Sequence, residues 1–196
     1  MSGAEPMHCV ACSIFRREIE RLLASGALAL QVDYLPSMLH MDPERLEARL
    51  RSALAGAGDV VLAFGDCCGH MDEFHARPGS SRTDGINCCE IILGRDTYRR
   101  LRGEGAFFLM PEWALGWRAI FTGELGLLGS NARTFMQEMH SRLIYLDTGI
   151  IPVPLEALAE AGEYLGLPVQ VLPVSLEPLL AGLLEAVRSA SDHGQA

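Results

Sequence analysis

The stretch Asp59-Val60-Val61-Leu62-Ala63-Phe64-Gly65-Asp66-Cys67-Cys68-Gly69 decides the fold. Val60 to Phe64 is an unbroken apolar run of the kind carried by strands buried on both faces of a parallel sheet. A glycine and an aspartate end it, and two adjacent cysteines follow at once. The polar segment from there to about Arg82 is too long for a mere connector, and loops of that length in compact proteins usually carry function.

Working outward, strand and helix signals alternate. Residues 7–12 (Met-His-Cys-Val-Ala-Cys) read as a short strand, and Ile14, Phe15, Ile19, Leu22 and Leu23 fall at helical spacing before Gly26. A second strand is expected over Leu28–Leu35. Asp42-Pro43 then opens a helix with an N-cap and a proline at its first position, and Leu46, Leu50 and Leu54 form its apolar face. Further strands are expected near Asp84–Ile86 and over Ala106–Met110, Leu143–Leu146 and Val169–Pro173. Helices are expected over Cys88–Leu101 and residues 131–141, 154–165 and 175–188. This alternation predicts an α/β fold: one doubly wound, mostly parallel sheet with helices on both faces. Residues 1–188 form the expected single domain, and the small, polar segment 189–196 a frayed tail.

The composition removes several classes of function. The chain has 196 residues, enough to bury a core without disulfides or metals, so a metal here would point to function. With a net charge of −9 and no basic stripe, nucleic acid is not an expected partner. All sixteen basic residues are arginine, which removes Schiff-base lysine chemistry and P-loop nucleotide binding. No apolar run approaches the roughly 20 residues needed to span a bilayer, so no membrane partner is expected. Met1–Pro6 lacks the features of a signal peptide. A cytoplasmic setting follows as an expectation, and there six cysteines suggest metal ligands, catalytic thiols or core filling more than disulfides.

In open parallel sheets, ligands bind outside the carboxyl ends of the strands. Cys12 closes the first strand, Cys67 and Cys68 follow the third, and Cys88 and Cys89 follow the fourth. Three strand ends thus each bring a thiol to one rim, as a metal site requires. Cys12, Cys67 and Cys88 are the expected ligands. One residue of register decides whether Cys68 or Cys89 replaces its neighbour. Helix N-termini at or after Cys12 and Cys88 are expected to lower their thiol pKa values. Gly65 and Gly69 would let backbone approach a bound cofactor. Cys9, three residues before Cys12, faces the other side of a strand and is assigned to the core. His70 and His75, in the long polar segment, are the candidate acid and base, with completion of a metal sphere and a solvated loop face as the other readings. Trp113, Trp117, Phe107, Phe108 and Phe121 are expected to pack in the core, with a pocket wall as the second reading.

The order of these segments resembles the archaeal and bacterial family called domain of unknown function 1638. Ala11-Cys12-Ser13 with Glu18-Ile19 is similar to its Ala-Cys-Gly strand end and Glu-Ile helix. Phe64 to Gly69 corresponds to a Tyr-Gly-Leu-Cys-Gly loop, and Asn87-Cys88 with Ile92-Leu93-Gly94 to an Asp-Cys helix start reading on to Leu-Leu-Gly. Pro111-Glu112-Trp113 and Tyr145-Leu146-Asp147-Thr148-Gly149 are similar to its Pro-Gly-Trp and Tyr-Ile-Asp-Thr-Gly segments. The resemblance implies that Cys12, Cys67 and Cys88 are the family's three cysteines, with Cys9, Cys68 and Cys89 peculiar to this chain. The departures are Asn87 for an acidic residue, Ile86 for a histidine and Ser13 for a glycine. The family brings no established reaction.

Three thiolates can hold a [4Fe–4S] cluster by three irons and leave the fourth open to a small-molecule substrate. This all-sulfur set favours the cluster slightly, with zinc as the alternative. An enzyme acting on a small molecule is therefore expected, an iron–sulfur lyase type or a zinc-thiolate transferase. The second expectation is a metal or tetrapyrrole carrier, or an accessory protein of a methyl-transfer system using a zinc–thiolate site. A homo-oligomer or a methyl-transfer protein is the expected protein partner.

Overall fold

The computed structural model describes residues 6–193. The remarks above on Met1–Glu5 and on residues 194–196 lie outside that range. The chain forms two compact units, one running to Ile92 and resuming at Leu176, the other spanning Leu93–Ser175.

The first unit holds four parallel strands in the order β2-β1-β3-β4: β1 (Met7–Cys12), β2 (Leu30–Leu35), β3 (Val60–Ala63) and β4 (Ser80–Arg82). Every residue of β3 is fully buried, as the unbroken apolar run predicts, and β3 lies inside the sheet between β1 and β4. Helix α1 (Arg16–Ala24) connects β1 to β2, and α2 (Pro43–Leu54) connects β2 to β3. The Asp42 carboxylate accepts from Arg45 N at 3.1 Å and Pro43 takes the first turn, so α2 starts where the sequence places it. Leu46, Leu50 and Leu54 are buried along its inner face. The helix Glu177–His193 packs against β3 and β4.

Here the chain departs from the expected strand at Asp84–Ile86. The fourth strand is Ser80–Arg82, whose serines are nearly inaccessible, while Ile86 is half exposed and Gly85 has φ 141°. Serine hides a buried strand from hydropathy, because it reads as polar wherever it lies. The polar segment before it is not all loop, since Met71–His75 forms α3 with Met71 and Phe74 buried. The helix expected over Cys88–Leu101 is two: α4 (Cys88–Leu93) and α5 (Arg95–Gly103), divided at Gly94 with φ 76°.

The second unit contains three parallel strands in chain order, β5 (Ala106–Leu109), β6 (Arg142–Asp147) and β7 (Val169–Pro173). Helices α6 (Pro111–Leu115), α7 (Trp117–Ala119) and α8 (Gly129–Met139) lie between β5 and β6, and α9 (Leu155–Leu165) between β6 and β7. Its core gathers Leu109, Trp117, Phe121, Met136, Leu143, Tyr145, Leu158 and Leu165, with Phe107 and Trp113 packed against it. Trp117 meets Phe121 at 6.1 Å and Tyr164 at 5.5 Å between ring centres. The aromatic residues therefore fill a core. The parallel α/β class stands, but the strands pair in two sheets where a single one was expected. The closing helix, α10, runs on to His193, past the point where the tail was expected to fray. No helix among the described residues is long and apolar enough to cross a membrane.

Candidate thiol site at the strand ends

From β1 the chain winds first to β2, on one side, and then to β3, on the other. The winding therefore reverses between β1 and β3. Connections that diverge from neighbouring strands leave a crevice at their carboxyl ends, the usual ligand position in open α/β sheets. Cys12 is the last residue of β1, and Cys67 follows β3 by four residues. The two stand on either side of that reversal.

The segments after β3 and β4 are fastened together by their backbones. Asp66 N donates to Ile86 O at 2.9 Å, and Cys67 N donates to Gly65 O at 2.9 Å in a tight turn. Gly65 admits no side chain, because a Cβ there would stand 2.4 Å from Asn87 Cα and 2.6 Å from Ile86 O. Its close approach is thus to protein backbone. At Gly69 a Cβ would meet nothing. Arg82, at the end of β4, donates to Asp66 Oδ1 at 2.6 Å and adds a side-chain tie between the same segments. Asn87 caps α4, its side-chain oxygen accepting from Glu90 N at 2.9 Å. Asparagine thus fills the capping role that aspartate would fill in the family pattern. Cys88 follows in the first turn.

These ties gather three thiols. The Cys88 and Cys12 side chains hydrogen-bond to each other, and Cys67 interacts electrostatically with Cys12 and with Cys88. Their neighbours Cys68 and Cys89 add smaller like-charge effects on Cys67 and Cys88. The Cys68 sulfur accepts from the His70 backbone and senses Glu47 and Arg51, while Cys89 is affected by burial alone. Cys9 is fully buried on the opposite face of β1, with Asp33 as its charged neighbour. Of each adjacent pair, Cys67 and Cys88 are the members on which Cys12 acts. Among the described residues, no group of three or more His, Cys, Asp or Glu is placed so that it could hold a metal ion.

Burial and mutual proximity favour the protonated form of Cys67 and Cys88. Cys67 is pushed up to about 11, first by burial and then by the Cys12 thiol, with the Gly65 backbone and Arg82 opposing. Cys88 is raised well above the ordinary thiol value by its bond to Cys12 and by burial. This reverses the lowering expected at Cys88 from a helix N-terminus: α4 is one and a half turns long, too short a dipole to outweigh desolvation.

The two histidines lie apart from this trio in their bonding. His70 Nδ1 donates to Glu47 Oε2 at 2.6 Å, and the other Glu47 oxygen accepts from Arg51 at 2.7 Å. Arg51 also reaches Glu73, at 3.7 Å. The Glu47 carboxylate raises the His70 pKa, and Arg51, then His70, lowers that of Glu47. His75 is exposed at the end of α3. Sequence reasoning missed Glu47, Arg51 and Arg82. Glu47 and Arg51 read as an ordinary helical charge pair one turn apart, and Arg82 as the end of a loop.

An α/β protein with thiols drawn to the reversal of its winding is the class that fold and site define. The family model described as a protein of unknown function, DUF1638, matches residues 34–183, and the chain belongs to that family. The matched span holds Cys67, Cys88, Pro111–Trp113 and Tyr145–Gly149, while Cys12 lies before it. Comparison with curated proteins and with solved structures gave no match.

Proposed function

We propose that Cys12, Cys67 and Cys88 bind a soft metal centre at which the protein acts on a small molecule. What supports this reading is that Cys12, Cys67 and Cys88, from three strand ends, influence one another, while Cys9 is fully buried with Asp33 as its charged neighbour. An all-sulfur donor set suits a [4Fe–4S] cluster with one iron left open, and zinc with one exchangeable position is the alternative. Bound there, such a centre would supply a Lewis acid at the mouth of the crevice. The chain's own part is to surrender three thiol protons and close the trio on the ion. Arg82, beside Cys67, offsets part of the negative charge of the thiolates. Anaerobic purification followed by a visible spectrum and analysis of iron, sulfide and zinc tests the proposal. Broad visible absorbance with matching iron and sulfide supports the cluster, stoichiometric zinc without colour supports the alternative, and absence of both metals after reconstitution sinks the site.

One observation favours a second reading, a carrier of metal or tetrapyrrole or an accessory protein of a methyl-transfer system with a zinc–thiolate site. His70 Nδ1 is committed to the Glu47 carboxylate, so it is not offered to the thiols as a base. A carrier needs none. Loss of His70 or His75 should cripple an enzyme that uses them and leave cargo binding by a carrier intact.

A further inference from the structure

Although the chain as a whole is acidic, α5 carries Arg95, Arg99, Arg100 and Arg102 against a single acidic residue, Asp96. Arg95, Arg99 and Arg102 stand four and then three residues apart, which lays them along one exposed stripe of the helix. The overall charge hides this basic stripe. Helix α9 carries its complement, since Glu156, Glu160 and Glu163 repeat the same spacing on the exposed side and Leu155–Leu165 holds no basic residue. Neither helix contributes a residue to the thiol site. We infer that α5 of one copy of this chain docks on α9 of a second copy, head to tail, with the arginine stripe laid along the glutamate stripe.

Within one chain the two stripes cannot meet. Tyr98 of α5 packs on Phe108 with ring centres 5.5 Å apart, whereas Leu158, Ala161 and Leu165 of α9 share a core with Leu109. Phe108 and Leu109 are successive residues of β5 and point to opposite faces of the sheet. Helices α5 and α9 therefore cover opposite faces, and each stripe finds the other only in another molecule. The surface of α9 has room for long side chains: a hollow of about 540 Å³ borders Glu160 and Glu163, and one of about 460 Å³ borders Glu156 and Glu160, with half-exposed Leu115 in its wall. Arginine can lay its apolar stem in such hollows while its guanidinium reaches a carboxylate. Arg118 already does so from within the chain, pairing with Glu160 at 3.1 Å and lying over the Trp117 ring at 4.4 Å. The incoming stripe shares Glu160 with it and meets Glu156 and Glu163 on either side. Because the two surfaces differ, the contact leaves an α5 free at one end and an α9 at the other, so copies add in a row or close into a ring. Exposed ion pairs are individually weak and screened by salt, which makes this a weak, salt-sensitive association.

The test is sedimentation of the full chain at two salt concentrations. At an ionic strength of about 0.01 M, where charges are felt over roughly 30 Å, species larger than one chain are expected, and at about 1 M, where the range is roughly 3 Å, monomer is expected. Arg99→Glu with Arg102→Glu should give monomer at both, and so should Glu156→Arg with Glu163→Arg. An equal mixture of the two variants should associate again at low salt, because each reversed stripe then meets its opposite. All four positions are exposed, so the changes leave the core untouched. Hydrogen exchange needs no variant: concentrating the unaltered chain at low salt should add protection in α5 and α9. A monomer at low salt, association that survives either reversal, folded variants that stay apart when mixed, or added protection that spares both helices overturns the inference. So does a monomer that binds a mixed-sequence single-stranded oligonucleotide and loses it with Arg99→Glu and Arg102→Glu, since α5 would then be a nucleic-acid surface.

Discussion

Gly65 lies so close to Asn87 that a single added methyl group would overlap the Asn87 Cα, at 2.4 Å. The neighbouring obstruction is also backbone, so no flexible side chain can swing away. Gly65→Ala must therefore part the segments after β3 and β4. It should destabilise the protein by about 3 kcal/mol, at the upper end for an overpacked site. Denaturant unfolding measures that loss. An unchanged midpoint would show that the two segments are not fastened as described.

Asn87 should matter as a cap and tolerate its acidic counterpart. Asn87→Ala removes the acceptor of the Glu90 N–H and should cost about 1 kcal/mol. Asn87→Asp keeps an acceptor at the same position and adds charge at a helix start, so it should be neutral or slightly stabilising. A double comparison by thermal melting separates the two, and equal losses would remove the capping role.

The Glu47–His70 pair gives the protein a pH signature. The folded-state pKa of His70 is raised, chiefly by Glu47, so its contribution is complete below the unfolded histidine value and is lost as pH rises through the folded one. Glu47 is lowered, chiefly by Arg51 and then by His70, so its contribution is present above the ordinary carboxylate range and is lost as pH falls through the folded value. Both act together only in the mildly acidic to neutral window. Titration of His70 by NMR should give a value above the ordinary histidine range, and Glu47→Gln should return it there. A His70 that titrates normally in the unaltered chain would contradict the ion pair.

Single substitutions separate the three facing thiols from the rest. Cys12→Ser, Cys67→Ser and Cys88→Ser should each abolish metal retention, whereas Cys9→Ala should cost only packing, about 1 kcal/mol. Equal tolerance at all four positions, read by metal analysis, would dismiss the site.

Metal uptake should also release protons and strengthen as pH rises. Cys67, pushed up to about 11, and Cys88, raised by its bond to Cys12, are protonated near neutrality and must ionise to bind. Cobalt titration at two pH values, with released protons counted, measures both effects, and a pH-independent affinity would argue against thiolate ligands.

Strand β3 and the capped start of α2 were legible in the sequence because each carries a strong local signal: five apolar residues without a break, and aspartate followed by proline. The register of β1 was legible too, so the separation of Cys9 from Cys12 followed from strand geometry. What local signals cannot convey is which strand pairs with which, and the division into two sheets stayed hidden for that reason. Strand β4 escaped because Ser80 and Ser81 look like loop residues while lying buried. At the site, the choice of Cys67 over Cys68 depended on the turn at Gly65, and the roles of Arg82, Glu47 and Arg51 depended on partners distant in sequence. The thiol pKa of Cys88 ran against expectation because its environment is set by Cys12, not by the short helix that follows it.

Because Cys12 ends the first strand while Cys88 follows the fourth, the three-thiol crevice is a feature of completed assembly. During synthesis, Cys9 and Cys12 are the first thiols to emerge, well before Cys67 and Cys88. Once β1 is extended that pair parts, Cys9 going to one face and Cys12 to the other. Any ion held by all three thiols would therefore find its full set of donors only after these strands have paired.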